Sequence, residues 1–310
     1  MTKEPTLIPK IENTLNENTN YNLIFLRHGQ STWNRDNRFI GWTDTPLTSD
    51  GVLEARVAGS IMKECGVQID EVHTSMLRRS IRTVNLVLME LGQEYVPVYK
   101  HWRLNERSYG ALVGSNKKEM SKLHGPEQLK QWRRGYDTPP PPMDEQHEFH
   151  PRKLKRYREI KDIIPDCESL KDTVGRSSVY WDTVVAPSLK AGKTVLIVGH
   201  ENNLRSLIMR LEGIKPSDII NLSLPRAVPL CYTVDSSLQP VNEREDGGKD
   251  KATGFLTGKW LGGDEAVGET LERDNKNVYD VKVEENLELE GGKERGEKWR
   301  KWKEERMEGE

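Results

Sequence analysis

The sequence predicts an α/β protein, a mostly parallel sheet with helices on both faces in three layers. Three observations predict it. Short runs of β-forming apolar residues recur between segments whose apolar residues fall at helical spacing. Two of these runs, 22–26 and 194–198, read as buried strands, and each stops abruptly at a histidine: Arg27-His28-Gly29 and Gly199-His200. In an open α/β sheet ligands sit beyond the carboxyl ends of the strands, so two strand-terminal histidines point to one shared pocket.

The 310 residues carry a formal net charge of −2, so any affinity for an anion must come from a local cluster rather than from the whole surface. Length alone does not require more than one large domain. The cysteines Cys65, Cys167 and Cys231 are widely spaced, which fits a reducing compartment and argues against a disulfide framework or a structural zinc site. No apolar run approaches the ~20 residues of a membrane span, and residues 1–20 lack a hydrophobic signal core. A cytoplasmic protein is the expectation.

Taken in order, residues 1–20 read as a flexible arm. A catalytic domain spans 21–240 and opens with the first strand. Gly29 is expected to let backbone approach a bound group. Residues 35–45 read as loop. Thr48 caps a helix with Val52, Ala55, Gly59 and Met62 on its apolar face, and Gly66 ends it. Strand 69–74 follows. Ser75 is then expected to cap a helix bearing Leu77, Ile81, Val84, Leu88 and Leu91, with Arg78 and Arg79 in its first turn. Cations there oppose the helix dipole, a cost that a bound anion would offset. After strand 96–99, Leu104-Asn105-Glu106-Arg107-Ser108-Tyr109-Gly110 places a carboxyl beside a cation in a loop, a plausible acid–base site.

Residues 114–165 are too long for a plain connection and read as a lid-like insertion. Gln131-Trp132-Arg133-Arg134 is placed to close a cation cluster over an anionic ligand. His147 and His150 have a spacing compatible with metal ligation, but no third ligand accompanies them. Cys167-Glu168-Ser169-Leu170 opens a helix running toward Trp181. The second histidine strand comes next, then a helix with Leu204, Leu207, Ile208 and Leu211 that Gly213 ends, and an alternating strand over 228–234. Residues 241–310 form a charged C-terminal extension, partly disordered by composition. Within it, 255–263 is the one patch able to dock, and Trp299 and Trp302 sit at helical spacing.

With both histidine strands in view, Arg27-His28-Gly29-Gln30-Ser31 resembles the signature of the histidine phosphatase superfamily. Arg38-Phe39-Ile40-Gly41-Trp42, Thr74-Ser75-Met76-Leu77-Arg78-Arg79, Leu104-Asn105-Glu106-Arg107, Tyr109-Gly110, Asn116-Lys117, Gln131-Trp132-Arg133-Arg134 and Glu168-Ser169-Leu170 narrow the resemblance to the cofactor-dependent phosphoglycerate mutases, over residues 20 to 263. That resemblance implies interconversion of 2- and 3-phosphoglycerate in glycolysis and gluconeogenesis through a phosphohistidine, priming by 2,3-bisphosphoglycerate, and no metal. It implies a small-molecule substrate, no nucleic-acid or membrane partner, and compatibility with a homo-oligomer.

Residue by residue, it makes His28 the nucleophile, and Arg27, Arg79 and His200 the groups around the transferring phosphoryl oxygens. Glu106 becomes the proton donor and acceptor for the substrate hydroxyl. Ser31, Asn34, Ile40, Gly41, Arg107, Tyr109, Lys117, Arg133, Arg134, Glu201 and Asn202 become the residues that line the substrate. Several positions depart from the family pattern. Gln30 stands in place of glutamate, Ile40 in place of a small or hydroxylated residue, Ser108 in place of histidine and Asn203 in place of serine. Glu201 stands directly after His200, where the family has glycine. A carboxylate beside a dianionic phosphate is repulsive, so its side chain is expected to turn away. Residues 241–254 and the tail after 264 have no family counterpart. Two other functions compete: a phosphatase of the same superfamily, and a non-catalytic protein that binds phosphoglycerates or a partner.

Overall fold

Strand β1, Tyr21–Arg27, lies between β4, Val195–Gly199, and β5, Leu230–Val234. The sheet continues from β4 through β2, Glu71–Thr74, to the edge strand β3, Val98–Lys100. These four strands run parallel. Beyond β1 the sheet is antiparallel: β5 pairs with β1, with β6, Pro240–Val241, and with β7, Lys259–Trp260. The computed structural model describes residues 20–241, 247–261, 263, 267–268 and 270–272. The arm before residue 20 and the tail with Trp299 and Trp302 lie outside the described residues.

The central strands β1 and β4 are apolar over residues 23–26 and 195–198 because both of their faces are covered there. Leu23 and Phe25 of β1 and Val195 and Ile197 of β4 face one core, with Leu204, Leu207, Ile208, Tyr180 and Trp181. The alternate residues Ile24, Leu26, Leu196 and Val198 face a second core, with Ala58, Met62, Val84 and Val87. Each fully buried Leu or Phe side chain contributes about 1.5–3 kcal/mol relative to exposure. Helices α2, Ser49–Glu64, and α3, Arg78–Leu91, supply the second core. Helices α6, Leu170–Tyr180, and α8, Glu201–Glu212, supply the first. A π-helical turn, Trp181–Val185, joins α6 to α7, Ala186–Lys190.

Several local expectations hold for the expected reason. The Thr48 hydroxyl accepts from Gly51 N at 3.0 Å and starts α2, and Gly213 stops α8 in the left-handed region at φ 63°. One differs. Leu77, not Ser75, holds the N-cap position of α3, and no side chain caps that helix. The Ser75 hydroxyl is engaged elsewhere, facing Ser80 Oγ at 2.5 Å and His200 Nε2 at 2.8 Å. A short helix α1, Thr32–Arg35, precedes the expected loop.

The 114–165 insertion is anchored at both ends. Its helices α4, Lys117–His124, and α5, Pro126–Arg134, seat Leu129 and Trp132 against Phe39 and Leu112. Further on, Tyr157 and Ile164 pack with Trp42. His147 and His150 serve local turns, each Nδ1 accepting a backbone N–H two residues on. Residues 250–261, placed in the extension by the sequence reading, join the folded unit. Leu256 and Trp260 are buried in the first core, and Lys259–Trp260 pairs with β5. Among the described residues, no helix is long and apolar enough to cross a membrane.

Candidate active site

Strand register builds the centre of the site. Arg27 pairs with Gly199 across β1 and β4, so His28 and His200 are each the next residue beyond adjacent parallel strands. His28 N donates to Gly199 O at 3.1 Å. The two imidazoles lie 4.9 Å apart between ring centroids, at 61°. Thr74 of β2 pairs with Val198, which brings Ser75 to the equivalent position beside His200.

His28 is aimed by its own backbone. Its Nδ1 lies 2.7 Å from Gly29 O. The carbonyl can only accept, so Nδ1 carries the proton and Nε2 presents its lone pair. Arg79 Nε faces that Nε2 at 3.2 Å. Burial, then the Arg79 and Arg27 charges, push the His28 pKa well below its usual value. The ring is neutral at physiological pH, the state a nucleophile requires. His200 is likewise held neutral by burial and by Arg79. Its Nδ1 is buried with no hydrogen-bond partner.

Arg79 is fixed on three sides. Besides His28, it donates to Thr43 O at 2.8 Å and Gly41 O at 2.9 Å. Gly41 has φ 54°, a conformation that favours glycine and turns its carbonyl toward the guanidinium. Arg78 does not share this role: it is exposed, and its backbone N–H donates to Asp44. Gly29 also makes a close approach within the protein. A Cβ there would lie 2.2 Å from Gly51 O, and one on Gly51 would lie 2.0 Å from Gln30 O. The close approach is to helix α2, so the two glycines let the loop that carries His28 dock onto that helix.

Glu106 sits opposite. Its Oε1 accepts from Arg107 N at 2.8 Å and from Asn202 N, in the first turn of α8, at 3.2 Å. A buried ion pair braces this loop: Arg176 Nε meets Glu168 Oε1 at 2.6 Å, Arg176 also donates to Glu106 O at 3.0 Å, and Glu168 Oε2 accepts from Ser108 N at 2.8 Å. Trp42 Nε1 holds the Glu106 carbonyl from the other side at 2.6 Å.

A second cluster adjoins the first. Arg107 is fully buried with Nε and Nη1 unpartnered, and its third nitrogen donates to Arg133 O. Its Cζ lies 5.0 Å over the Tyr109 ring, while the Tyr109 hydroxyl accepts from Asn202 Nδ2 at 2.9 Å. Lys117 is half-buried. Desolvation and Arg133, only partly opposed by Glu201, followed by Arg27 and Arg134, lower its pKa to about 7. Glu201 does not turn away to solvent. Its carboxylate lies 2.6 Å from Arg134 Nη1 and 3.1 Å from Arg27 Nη2. Burial alone would raise its pKa, but Arg134 and Arg27 hold it well below the usual carboxylate range. The arginines among which it lies offset the cost of burying that charge.

The remaining predicted residues are occupied structurally. Ser31 Oγ donates to Asn34 Oδ1 at 2.8 Å within the capping box of α1. Ile40 is buried and contributes its carbonyl to Thr43 N at 3.1 Å. Gln30 Oε1 accepts from Thr48 Oγ1 at 2.9 Å, tying the loop to α2. Three further residues belong to the site without having stood out in the sequence. Ser75 was signalled by its position one residue past a strand, as for both histidines. Arg205, one turn after Glu201, donates to Asn202 Oδ1 at 2.7 Å and Arg134 O at 2.9 Å. Arg226 adds positive charge near His28 and lies 3.6 Å from Glu54; no pattern in its loop marks it. Among the described residues, no group of three His, Cys, Asp or Glu could hold a metal.

Comparison with known proteins adds to this geometry. The family model for the histidine phosphatase superfamily (branch 1) matches residues 23–162. The 2,3-bisphosphoglycerate-dependent phosphoglycerate mutase of Nitratidesulfovibrio vulgaris (strain DSM 19637 / Miyazaki F) is 46% identical over 225 residues, 72% of this chain and 90% of that protein. Among solved structures, phosphoglycerate mutase from Bacillus anthracis str. Sterne superposes with a TM-score of 0.54 at 20% identity, covering 82% of this chain and 98% of that one. A putative alpha-ribazole-5'-P phosphatase from Escherichia coli str. K-12 substr. MG1655 gives 0.52 at 21% identity, covering 71% and 93%. The two structures show a shared fold.

Proposed function

The chain belongs to the 2,3-bisphosphoglycerate-dependent phosphoglycerate mutase family of the histidine phosphatase superfamily, and from that premise we propose that it interconverts 2- and 3-phosphoglycerate by way of phospho-His28. The observation that carries the reading is the pair of neutral imidazoles at adjacent strand ends, with Arg79 beside one and Glu106 nearby. Unpartnered buried donors on Arg107 and the bare Nδ1 of His200 suit an anionic ligand bearing more than one charged group.

When bound, 2,3-bisphosphoglycerate supplies the phosphoryl group that primes the enzyme; Arg107, Tyr109, Lys117, Arg133 and Arg134 would hold its distal anionic groups. Nε2 of His28 attacks phosphorus in line while Nδ1 stays bonded to Gly29 O, which keeps the ring from turning. Arg79 and His200 meet the charge that spreads onto the phosphoryl oxygens. Glu106, held by two backbone N–H groups, takes the proton from the substrate hydroxyl that attacks phospho-His28 and returns it to the hydroxyl oxygen that departs when His28 takes the phosphoryl group back. Ser31 and Asn34 join as positioning residues through the α1 cap. Work in the cytoplasm on a small-molecule substrate belongs to the same reading.

The test is direct. Purified protein is exposed briefly to 2,3-bisphosphoglycerate and examined by mass spectrometry, in parallel with an assay converting 3- to 2-phosphoglycerate. Phosphate on His28 and primer-dependent turnover are expected. An unmodified His28, or rapid loss of its phosphate to water with no 2-phosphoglycerate formed, would reject the mutase in favour of an inactive binder or a phosphatase.

A further inference from the structure

Glu201 stands in the first turn of α8, directly after His200, and its side chain is only 14% exposed. Its two ion pairs reach in different directions. Arg27 Nη2 belongs to the strand that delivers His28; Arg134 Nη1 belongs to helix α5 of the insertion. The carboxylate therefore joins the flank of the transfer centre to the insertion. Its hold on Arg134 is a charge contact without a directed hydrogen bond, since Oε1 has no hydrogen-bond partner while Arg134 Nη1 donates to Leu222 O at 3.1 Å. Arg205 and Arg133 act on the same carboxylate. Nearby, two nitrogens of Arg107 stay unmet even with Glu201 present. The cluster thus carries one internal anion and retains donors for another.

We propose that Glu201 is a resident counterion in the distal anion site: it competes with the ligand's second anionic group for Arg134, and so sets how tightly ligands are held according to their charge. This rests on the mutase reading above. Repulsion from a fixed carboxylate grows with each charge the ligand brings near it. Inorganic phosphate, seated between the histidines, is little affected. 3-Phosphoglycerate is weakened, and 2,3-bisphosphoglycerate most of all. A bisphosphorylated ligand that leaves before its second transfer leaves His28 without phosphate, so this chain depends on repeated priming. Glu201 is accordingly a specificity-determining residue, with no part in bond-making.

The test compares the full-length protein with Glu201→Gln, which keeps the shape and removes the charge. Calorimetry measures binding of inorganic phosphate and of 3-phosphoglycerate to unphosphorylated enzyme, where no transfer occurs, at two salt concentrations. Glu201→Gln is expected to bind 3-phosphoglycerate about tenfold more tightly, and more steeply with salt, while phosphate changes less than about twofold. The primer concentration giving half-maximal activity is expected to fall in parallel. If Glu201 merely fixes Arg27 and Arg134 in place, the substitution weakens both ligands together and lowers the melting temperature, which overturns the proposal; so does an equal gain for both ligands. Should Glu201→Gln fail to fold, Glu201→Gly is measured and judged in the same way. Failure of the unsubstituted protein to form phospho-His28 would instead condemn the mutase reading, and failure of the variant alone would overturn the proposal, while the 3-phosphoglycerate measurement decides the role of Glu201 in either case.

Discussion

His28 and His200 end adjacent parallel strands in register, and both rings are buried and neutral, yet they are wired differently. His28 has both nitrogens engaged, Nδ1 by Gly29 O at 2.7 Å and Nε2 by Arg79 Nε at 3.2 Å. His200 has one engaged, Nε2 by Ser75 Oγ at 2.8 Å, and leaves Nδ1 bare. A carbonyl partner admits one tautomer; a hydroxyl partner admits both, because it can donate or accept. The difference suits the two rings to different roles. The ring with a fixed tautomer is suited to attack with one defined lone pair. The ring with a free tautomer is suited to adapt as charge and protons shift on the phosphoryl oxygens.

The sharpest way to break this comparison is His28→Ala, which is expected to abolish labelled phosphoenzyme altogether, with the far-ultraviolet circular dichroism spectrum unchanged. Phosphoenzyme forming in that variant would transfer the nucleophile's role to His200. His200→Asn is expected to be milder: phosphoenzyme still forms, but its rate of formation in rapid-quench experiments falls about 10²–10³-fold, the scale for losing one donor to developing charge. A smaller effect is expected from Ser75→Ala. Removing one neutral hydrogen bond costs about 1 kcal/mol, so turnover should fall several-fold, with His200 tautomers resolved by nitrogen NMR rather than averaged by the hydroxyl.

The smallest effect is on stability. Both histidines have folded-state pKa values below their unfolded ones. The unfolded chain therefore binds more protons between those values and about 6.5, and stability rises with pH across that window and falls on acidification. Calorimetric melting between pH 7 and 5 should show this decline, and the variants lacking one imidazole should show a shallower one.

Much of this was legible because strands and helices wrote themselves into the periodicity of the chain. The buried runs before His28 and His200 are apolar on both faces, and that pattern alone gave two strands and one pocket. Glu106 and the Arg133–Arg134 pair were visible as charged residues in loop or insertion settings. Contacts between side chains distant in sequence were not. Ser75 shares with both histidines a place one residue past a strand, but that place does not distinguish a hydroxyl serving a histidine 125 residues away from one serving a helix end. Nothing near Glu201 signals that Arg27 and Arg134 will compensate it. Strands β6 and β7 are two residues each, too short for any alternation to register, and β7 is recruited only because Trp260 finds a core to fill.

The seam between Gly29 and Gly51 has a consequence for how substitutions in this protein will read. Helix α2 carries none of the residues proposed to react, yet a single methyl at its first turn would act as a wedge beneath His28, tilting a ring whose aim depends on one carbonyl. A survey of inactivating changes would then flag an inconspicuous glycine in a scaffolding helix alongside the histidines, with solubility and helix content intact.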